Sequence, residues 1–495
     1  MLFNSIEFLV FFPLILIIYF IIPRKLRTLW LLLTSYCFYA CYNPLYTLLL
    51  FASTASTYAA AFLISKNPDR TSIKKLILIL TLCLNIGLLG FYKYTAFFAS
   101  TLNALIPSLR IDLNAPLLHL IMPLGISFYT FQAVGYLIDV YRDSALVERN
   151  FIKYALFVSF FPNVLSGPIE RGSFMFTQFD HLKERKLLHA DRIFSGVRLM
   201  LWGYLLKMVL ADRVAIFVDT VFDSYYMYGS TVLFLAAVGY AFQIYWDFSG
   251  YTIIALGAAK ILGIELIDNF DTPYLSVSVK DFWRRWHISL SSWLKDYIYI
   301  SLGGNRCSKP RKYLNIMITF LLSGLWHGAA FTYVIWGALH GIYQIAGEVF
   351  LPLRKRIHTA LHIKTECFSY RLKQIIGTFI WIDLAWIFFR SASLPDAMNY
   401  IWRMITRHDF WVLSDQSLYE LGLSITECNV LLIFFVIFLF FEYIKYKRKM
   451  LIDSFIAKQN AVFRWGFTFF LFFSIIIFGI YGPNFNSSQF LYFKF

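Results

Sequence analysis

Apolar residues along this chain come in long blocks separated by short polar breaks, from residue 8 to residue 481. Blocks stand at 8–22, 29–42, 46–64, 76–98, 117–140, 154–165, 194–210, 231–248, 251–267, 313–325, 331–350, 374–389, 430–443 and 463–480. A helix that crosses a bilayer needs about 20 mostly apolar residues, and several blocks reach or approach that length. Only helices satisfy their own backbone in lipid without closing into a barrel. The pattern therefore predicts an all-α polytopic membrane protein with about 11–13 transmembrane or re-entrant helices. Block 154–165 runs through Phe160-Phe161-Pro162-Asn163 into Ser166-Gly167-Pro168. A segment broken by two prolines predicts a re-entrant element enclosed by protein, because irregular backbone cannot face lipid. Block 8–22 lacks a basic leader before it and is followed by Pro23-Arg24-Lys25-Leu26-Arg27 rather than by small residues. It reads as a retained first span, with its start outside and its basic end inside.

Composition sharpens this picture. Of the 495 residues 59% are hydrophobic and 15% charged, where a soluble domain has about 45–50% and about 25%. The mean hydropathy is +0.61. No long polar block separates soluble domains, so 1–495 reads as a single membrane domain, with a core region at about 120–345 and an aromatic tail at 482–495. The net charge of +16 sits in short basic runs between apolar blocks, including Lys66/Arg70/Lys74/Lys75, Arg306/Lys309/Arg311/Lys312 and Lys445/Lys447/Arg448/Lys449. Such runs mark cytoplasmic loops, and nothing in them calls for nucleic acid. The six cysteines show neither a C-x-x-C pair nor a metal spacing, which predicts free small hydrophobes and no metal.

Polar residues inside apolar blocks are the candidates for chemistry, since a charge at a span centre costs about 2.5–3.5 kcal/mol on insertion scales. Gln132 is mid-span and predicts an interhelical hydrogen bond. Asp247 has no basic residue within four positions, so it must face a wet cavity or find a partner on another helix. Residues 281–296, DFWRRWHISLSSWLKD, fit one amphipathic helix. Trp283, Trp286, Leu290, Trp293 and Tyr297 make its aromatic stripe, and Arg284, His287, Ser291 and Lys295 its polar stripe. An interfacial anchor is the plainer reading; His287 beside two arginines makes a site possible. Gly303-Gly304-Asn305-Arg306 then signals a turn. His327 lies in Leu325-Trp326-His327-Gly328, with Gly324 one turn earlier. A lone histidine in apolar surroundings is more often core than catalyst. Glycines there would let a helix or a substrate chain come close.

The strings MPLGISFYTFQ (122–132), FFPNVLSGPIER (160–171), YWDFSGY (245–251), DFWRRWHISLSSWLKDYIYISLGGNR (281–306), SGLWHGAAFTYVIWGALHG (323–341) and FLYFKF (490–495) resemble, in this order and nearly end to end, the membrane-bound O-acyltransferase family, most of all its bacterial alginate O-acetylase branch. The resemblance implies a fold of helices around a central funnel and makes His327 the catalytic histidine, with His287 the second key position. Arg284, Arg285, Asp247, Asn305 and Trp326 become candidate substrate-binding residues, with the two arginines and nearby backbone amides as candidate oxyanion donors. It also implies acetyl-CoA as acyl donor from the cytoplasm, a polysaccharide acceptor and an extracytoplasmic partner of the SGNH hydrolase-like type. The expected place is the bacterial inner membrane, as a multi-pass protein. Tyr492 in the terminal FLYFKF is a candidate acyl relay, an aromatic membrane anchor being the alternative. Imidazole suits such chemistry because a hydroxyl is a weak nucleophile until a base takes its proton. D-alanyl transfer from a carrier-protein thioester is the alternative activity. A transporter would also carry intramembrane acid and broken helices, but no inverted repeat is visible.

Overall fold

The computed structural model describes residues 1–106, 122–185 and 188–481. Every regular element among them is helical. The α-helices are α1 (Ile6–Ile21), α2 (Arg27–Ala40), α3 (Pro44–Ser65), α4 (Thr71–Leu105), α5 (Ile126–Tyr141), α6 (Phe151–Ser159), α7 (Gly172–His181), α8 (Ala190–Tyr204), α9 (Asp212–Asp223) and α10 (Ser230–Leu262). They continue as α11 (Val279–Phe282), α12 (Ile288–Leu294), α13 (Lys309–His327), α14 (Phe331–Val349), α15 (Leu351–Ala360), α16 (Phe368–Arg390), α17 (Leu394–Thr406), α18 (Ile425–Arg448), α19 (Ile452–Ala457) and α20 (Ala461–Phe478). Two π-helical stretches, Leu205–Ala211 and Lys295–Tyr299, follow α8 and α12.

Among the described residues six helices are long and apolar enough to cross a membrane: α3, α4, α10, α16, α18 and α20. The pair α14–α15 adds a seventh if its 47° bend lies within one span. This is a multi-pass membrane protein. Several other apolar blocks make helices too short to span alone; α1, at 16 residues, is about 24 Å long. Helices α4 and α20 are only 11% buried over their most apolar stretch and present Leu76, Leu80, Phe469 and Phe473 outward, as lipid-facing helices do. Helix α10 is 67% buried over its most apolar stretch. The separate blocks 231–248 and 251–267 are in fact this one helix of 33 residues. Ser249-Gly250 does not break it. A Cβ on Gly250 would lie 2.8 Å from the Gly203 carbonyl, so the glycine is there for close approach.

The described chain gathers into two compact units, one of residues 1–200 with 254–267, the other of 201–253 with the residues from 268 onward. In the first, α3 is tied to α4 by Ser53 Oγ donating to Asn85 Oδ1 at 2.6 Å, and to α6 by Tyr154 OH donating to Thr57 Oγ1 at 2.7 Å. The proline-broken segment leaves the helix after Ser159, and residues 160–170 are all buried and non-helical. Its backbone is paired within protein, as at Phe161 N, which donates to Ser35 Oγ at 3.1 Å. Gln132 makes the interhelical bond expected of it, to the Phe157 carbonyl, and also accepts at 3.4 Å from Asn163 Nδ2 of the non-helical segment.

The second unit holds both candidate histidines. Its helices α13 and α14 form a tight hairpin. Cβ atoms added at Gly324 and Gly337 would lie 2.2 Å from the Tyr333 carbonyl oxygen and 2.3 Å from the Phe320 carbonyl oxygen. These glycines, and Gly328 against the Tyr333 ring, admit a neighbouring helix rather than a substrate chain. Gly337→Val is expected to lower thermal stability in detergent by about 1–3 kcal/mol through overpacking. Gly347→Ala, on the same helix with nothing within 4 Å of its added Cβ, is the matched control and is expected within about 0.5 kcal/mol of the parent. Equal unfolding of the two variants would refute the close-crossing account.

Candidate active site

Chain order delivers His287 through a break, not a helix face. Ser278 caps α11, accepting from Asp281 N at 3.1 Å. The helix ends at Phe282, and His287 then adopts a left-handed backbone, φ 44° and ψ 56°, before α12 begins. The single amphipathic helix expected over 281–296 is therefore two short helices. Its aromatic stripe is real but faces protein: Trp283, Trp286, Leu290, Trp293 and Tyr297 are all buried. His287 belongs with them, fully buried, and not to a polar face. The 3.6-residue period survives the break because the turn keeps the same side inward.

Asn269, unflagged in the sequence, orients His287. Its Oδ1 lies 3.1 Å from His287 Nδ1 and also accepts from Ser289 N (3.1 Å) and Ser289 Oγ (2.9 Å). An amide oxygen only accepts. It therefore fixes the Nδ1–H tautomer of a neutral His287 and leaves the lone pair on Nε2. The Phe248 ring, on α10, meets His287 edge-on at 4.8 Å.

His327 is the last residue of α13, and 5% exposed. Trp326 has its ring 5.8 Å from His287 and 4.9 Å from His327, so it stands in contact with both imidazoles. Around His327 the wall continues with Trp336 of α14 at 5.0 Å and Phe389 of α16 at 5.2 Å. A third histidine, His340 of α14, touches Trp336 at 4.8 Å and is wholly buried. Trp283 Nε1 donates to its Nδ1 at 3.2 Å. Among the described residues, His340 Nε2 and Trp336 Nε1 have no hydrogen-bond partner. A buried N–H without an acceptor costs about 1–3 kcal/mol. Sequence reasoning passed over His340, although it stands in the same string as His327; its spacing of four from Trp336 was the available signal.

Asp247, Arg284, Arg285 and Asn305 lie elsewhere in the unit. Asp247 takes the partner its isolation demanded: Lys207 Nζ, on the first π-helix, lies 2.6 Å from Asp247 and 2.8 Å from Asp212. The π-helix leaves carbonyls unused by its own ladder, and Met208 O accepts from Ile480 N at 3.0 Å. Arg285 is held by Asp281 at 3.1 Å and by Thr272 Oγ1 at 3.2 Å, and its guanidinium lies over the Tyr446 ring. Arg284 is exposed. Asn305 is exposed beyond the second π-helix and accepts from Tyr299 OH at 2.6 Å. Tyr492 lies outside the described residues. Among the described residues no group of three or more His, Cys, Asp or Glu side chains is placed to hold a metal ion.

The helices of this unit thus enclose two buried histidines that share ring contact with one tryptophan. Residues 18–382 match the membrane-bound O-acyltransferase family. The chain belongs to that family and is an acyltransferase. It is 36% identical over 418 residues to the probable alginate O-acetylase AlgI of Pseudomonas syringae pv. tomato, covering 84% of this chain and 77% of that one. It is 36% identical over 438 residues to the peptidoglycan O-acetyltransferase of Helicobacter pylori, covering 82% and 80%. Similarity to the teichoic acid D-alanyltransferase of Bacillus subtilis is 31% over 288 residues, 54% and 70%.

Proposed function

We propose that this protein moves acetyl groups from a cytoplasmic thioester, acetyl-CoA, across the cell membrane for O-acetylation of a surface or secreted polysaccharide. The observation that carries the reading is Trp326 in ring contact with both buried histidines. That arrangement puts two imidazoles beside one aromatic plane, away from bulk water. His327 acts as general base: it takes the proton of an incoming hydroxyl as the oxygen attacks the acyl carbonyl carbon. A C–O bond forms, the C–S bond breaks, and the proton returns to the departing thiolate. His287, its tautomer set by Asn269, positions the hydroxyl or shares the base role. The similar O-acetylase of Pseudomonas and O-acetyltransferase of Helicobacter support acetyl as the cargo and polysaccharide as the destination.

The test is chemical. Surface polysaccharide from cells with and without the protein is treated with mild base, and the released acids are identified. Ester-linked acetate that depends on the protein supports the reading. Protein-dependent D-alanine transfers the assignment to the alternative cargo, and no protein-dependent ester of either kind overturns it.

The acyl group then passes outward. We infer that the incoming hydroxyl is that of Tyr492: its phenol oxygen attacks the thioester as His327 takes its proton, holds the acetyl as an ester, and leaves again as the free phenol when a hydroxyl on an extracytoplasmic SGNH-type partner or on the polymer attacks in turn and gives up its own proton. Tyr492→Phe is expected to abolish polymer acetylation at unchanged membrane abundance. Full acetylation by that variant would leave the tail as an aromatic anchor.

A further inference from the structure

Acyl transfer needs more than a base. Negative charge develops on the carbonyl oxygen as the tetrahedral intermediate forms, and preorganised donors must meet it in a dry site. The exposed Arg284 and the Asp281-bound Arg285 are poorly placed for that duty. The described residues of this unit do contain two buried donors without acceptors in the ring wall that starts at His327, Trp336 against His327 and His340 against Trp336. Trp283 Nε1 gives its proton to His340 Nδ1, so that nitrogen supplies the lone pair and the neutral ring carries its own proton on Nε2. Nε2–H is then a buried donor with no partner among the described residues, in a side chain of 0% exposure. Trp336 Nε1–H is the second, also at 0% exposure. Residues 336 and 340 stand one turn apart on the same face of α14, their rings 4.8 Å apart, and the Trp336 ring is 5.0 Å from that of His327.

A protein that wanted only packing here would place phenylalanine or leucine at 340. It instead buries an imidazole and uses a tryptophan N–H to hold it in one tautomer. We propose that His340 Nε2–H and Trp336 Nε1–H are the donors that bind the acyl carbonyl oxygen and stabilise its oxyanion while His327 moves the proton. This rests on the acyl-transfer reading above. The step needs no further reactant: both N–H groups donate hydrogen bonds and keep their protons.

The experiment uses membranes containing the full chain and follows thiol release from acetyl-CoA. His340→Asn places its amide at the level of Nδ1 and leaves nothing at Nε2; His340→Gln reaches the Nε2 level with an N–H. Trp336→Phe keeps an aromatic ring, smaller than the indole, and removes the second donor. Loss of one oxyanion donor costs about 10²–10³-fold in kcat. The expected result is that loss for His340→Asn with KM for acetyl-CoA unchanged, recovery by about tenfold or more in His340→Gln, and a fall of about tenfold or more for Trp336→Phe. A purely structural role would lower abundance or thermal stability and would not separate Asn from Gln in kcat. Equal kcat for the Asn and Gln variants overturns the proposal. If His340→Asn does not accumulate, Trp336→Phe decides: a kcat within about threefold of the parent overturns it, since a lost donor costs far more. Absence of thiol release by the unmutated protein would instead overturn the reading on which the proposal rests.

Discussion

His327→Ala is expected to cut polymer acetylation by about 10²–10⁴-fold, the usual contribution of a positioned general base, while the protein remains in the membrane at normal abundance. The geometry gives both halves of that expectation. His327 ends its helix, so truncation breaks no helical ladder on its far side, and Gly328 already continues in extended backbone. The imidazole is enclosed by Trp326, Trp336 and Phe389, so removing it leaves a small cavity in a wall of large rings. His327→Asn, which keeps polarity and part of the volume, is the companion variant and is expected to be equally inactive. The measurement is ester-linked acetate per cell with the protein quantified in the same membranes. Retained acetylation in both variants would make His327 a packing residue and leave the base role to His287.

Lys207→Met is expected to be the most damaging single change to stability, by about 3–5 kcal/mol, the usual cost of breaking a buried ion pair from one side. Lys207 bridges Asp247 at 2.6 Å and Asp212 at 2.8 Å, and all three side chains are almost fully buried. Methionine fills the same volume but leaves two carboxylates facing each other in low dielectric. Their mutual repulsion and lost hydration are then no longer offset by the ammonium between them. Membrane abundance and thermal unfolding in detergent report the effect. The combination of Lys207→Met with Asp212→Asn and Asp247→Asn removes all three charges and is expected to regain most of the loss. A single variant as stable as its parent would show that the triad is not a structural clamp.

Much of this was readable in the chain, and what was not has physical causes. The apolar blocks gave the all-helical membrane fold because spanning length and backbone satisfaction leave few alternatives. The lone Asp247 announced that it needed a partner, and Gln132 that it needed a hydrogen bond; both have them. The partner's identity was hidden, since Lys207 is 40 residues away on a π-helix that no periodicity reveals. The division of 281–296 was hidden for another reason. Burial continues in phase across the turn, and only the Ser278-x-x-Asp281 cap pattern hinted at a helix beginning at 279. Asn269 carries no local signal: it sits in a loop, and its role arises from a contact across 18 residues. The site's aromatic wall draws on α10, α13, α14 and α16, whose meeting is a property of the tertiary fold alone.

The left-handed backbone at residue 287 is a local strain that the fold tolerates for the side chain it carries. A side chain with a Cβ pays about 1–2 kcal/mol to adopt φ and ψ of that sign, and glycine would adopt them without that strain. That relief is outweighed at 287, where glycine would leave a cavity in place of a fully buried imidazole and remove its bond to Asn269, and large-to-small changes in a packed interior cost about 2–5 kcal/mol. The strained turn is thus kept in place by the packing of the same side chain that the chemistry calls on.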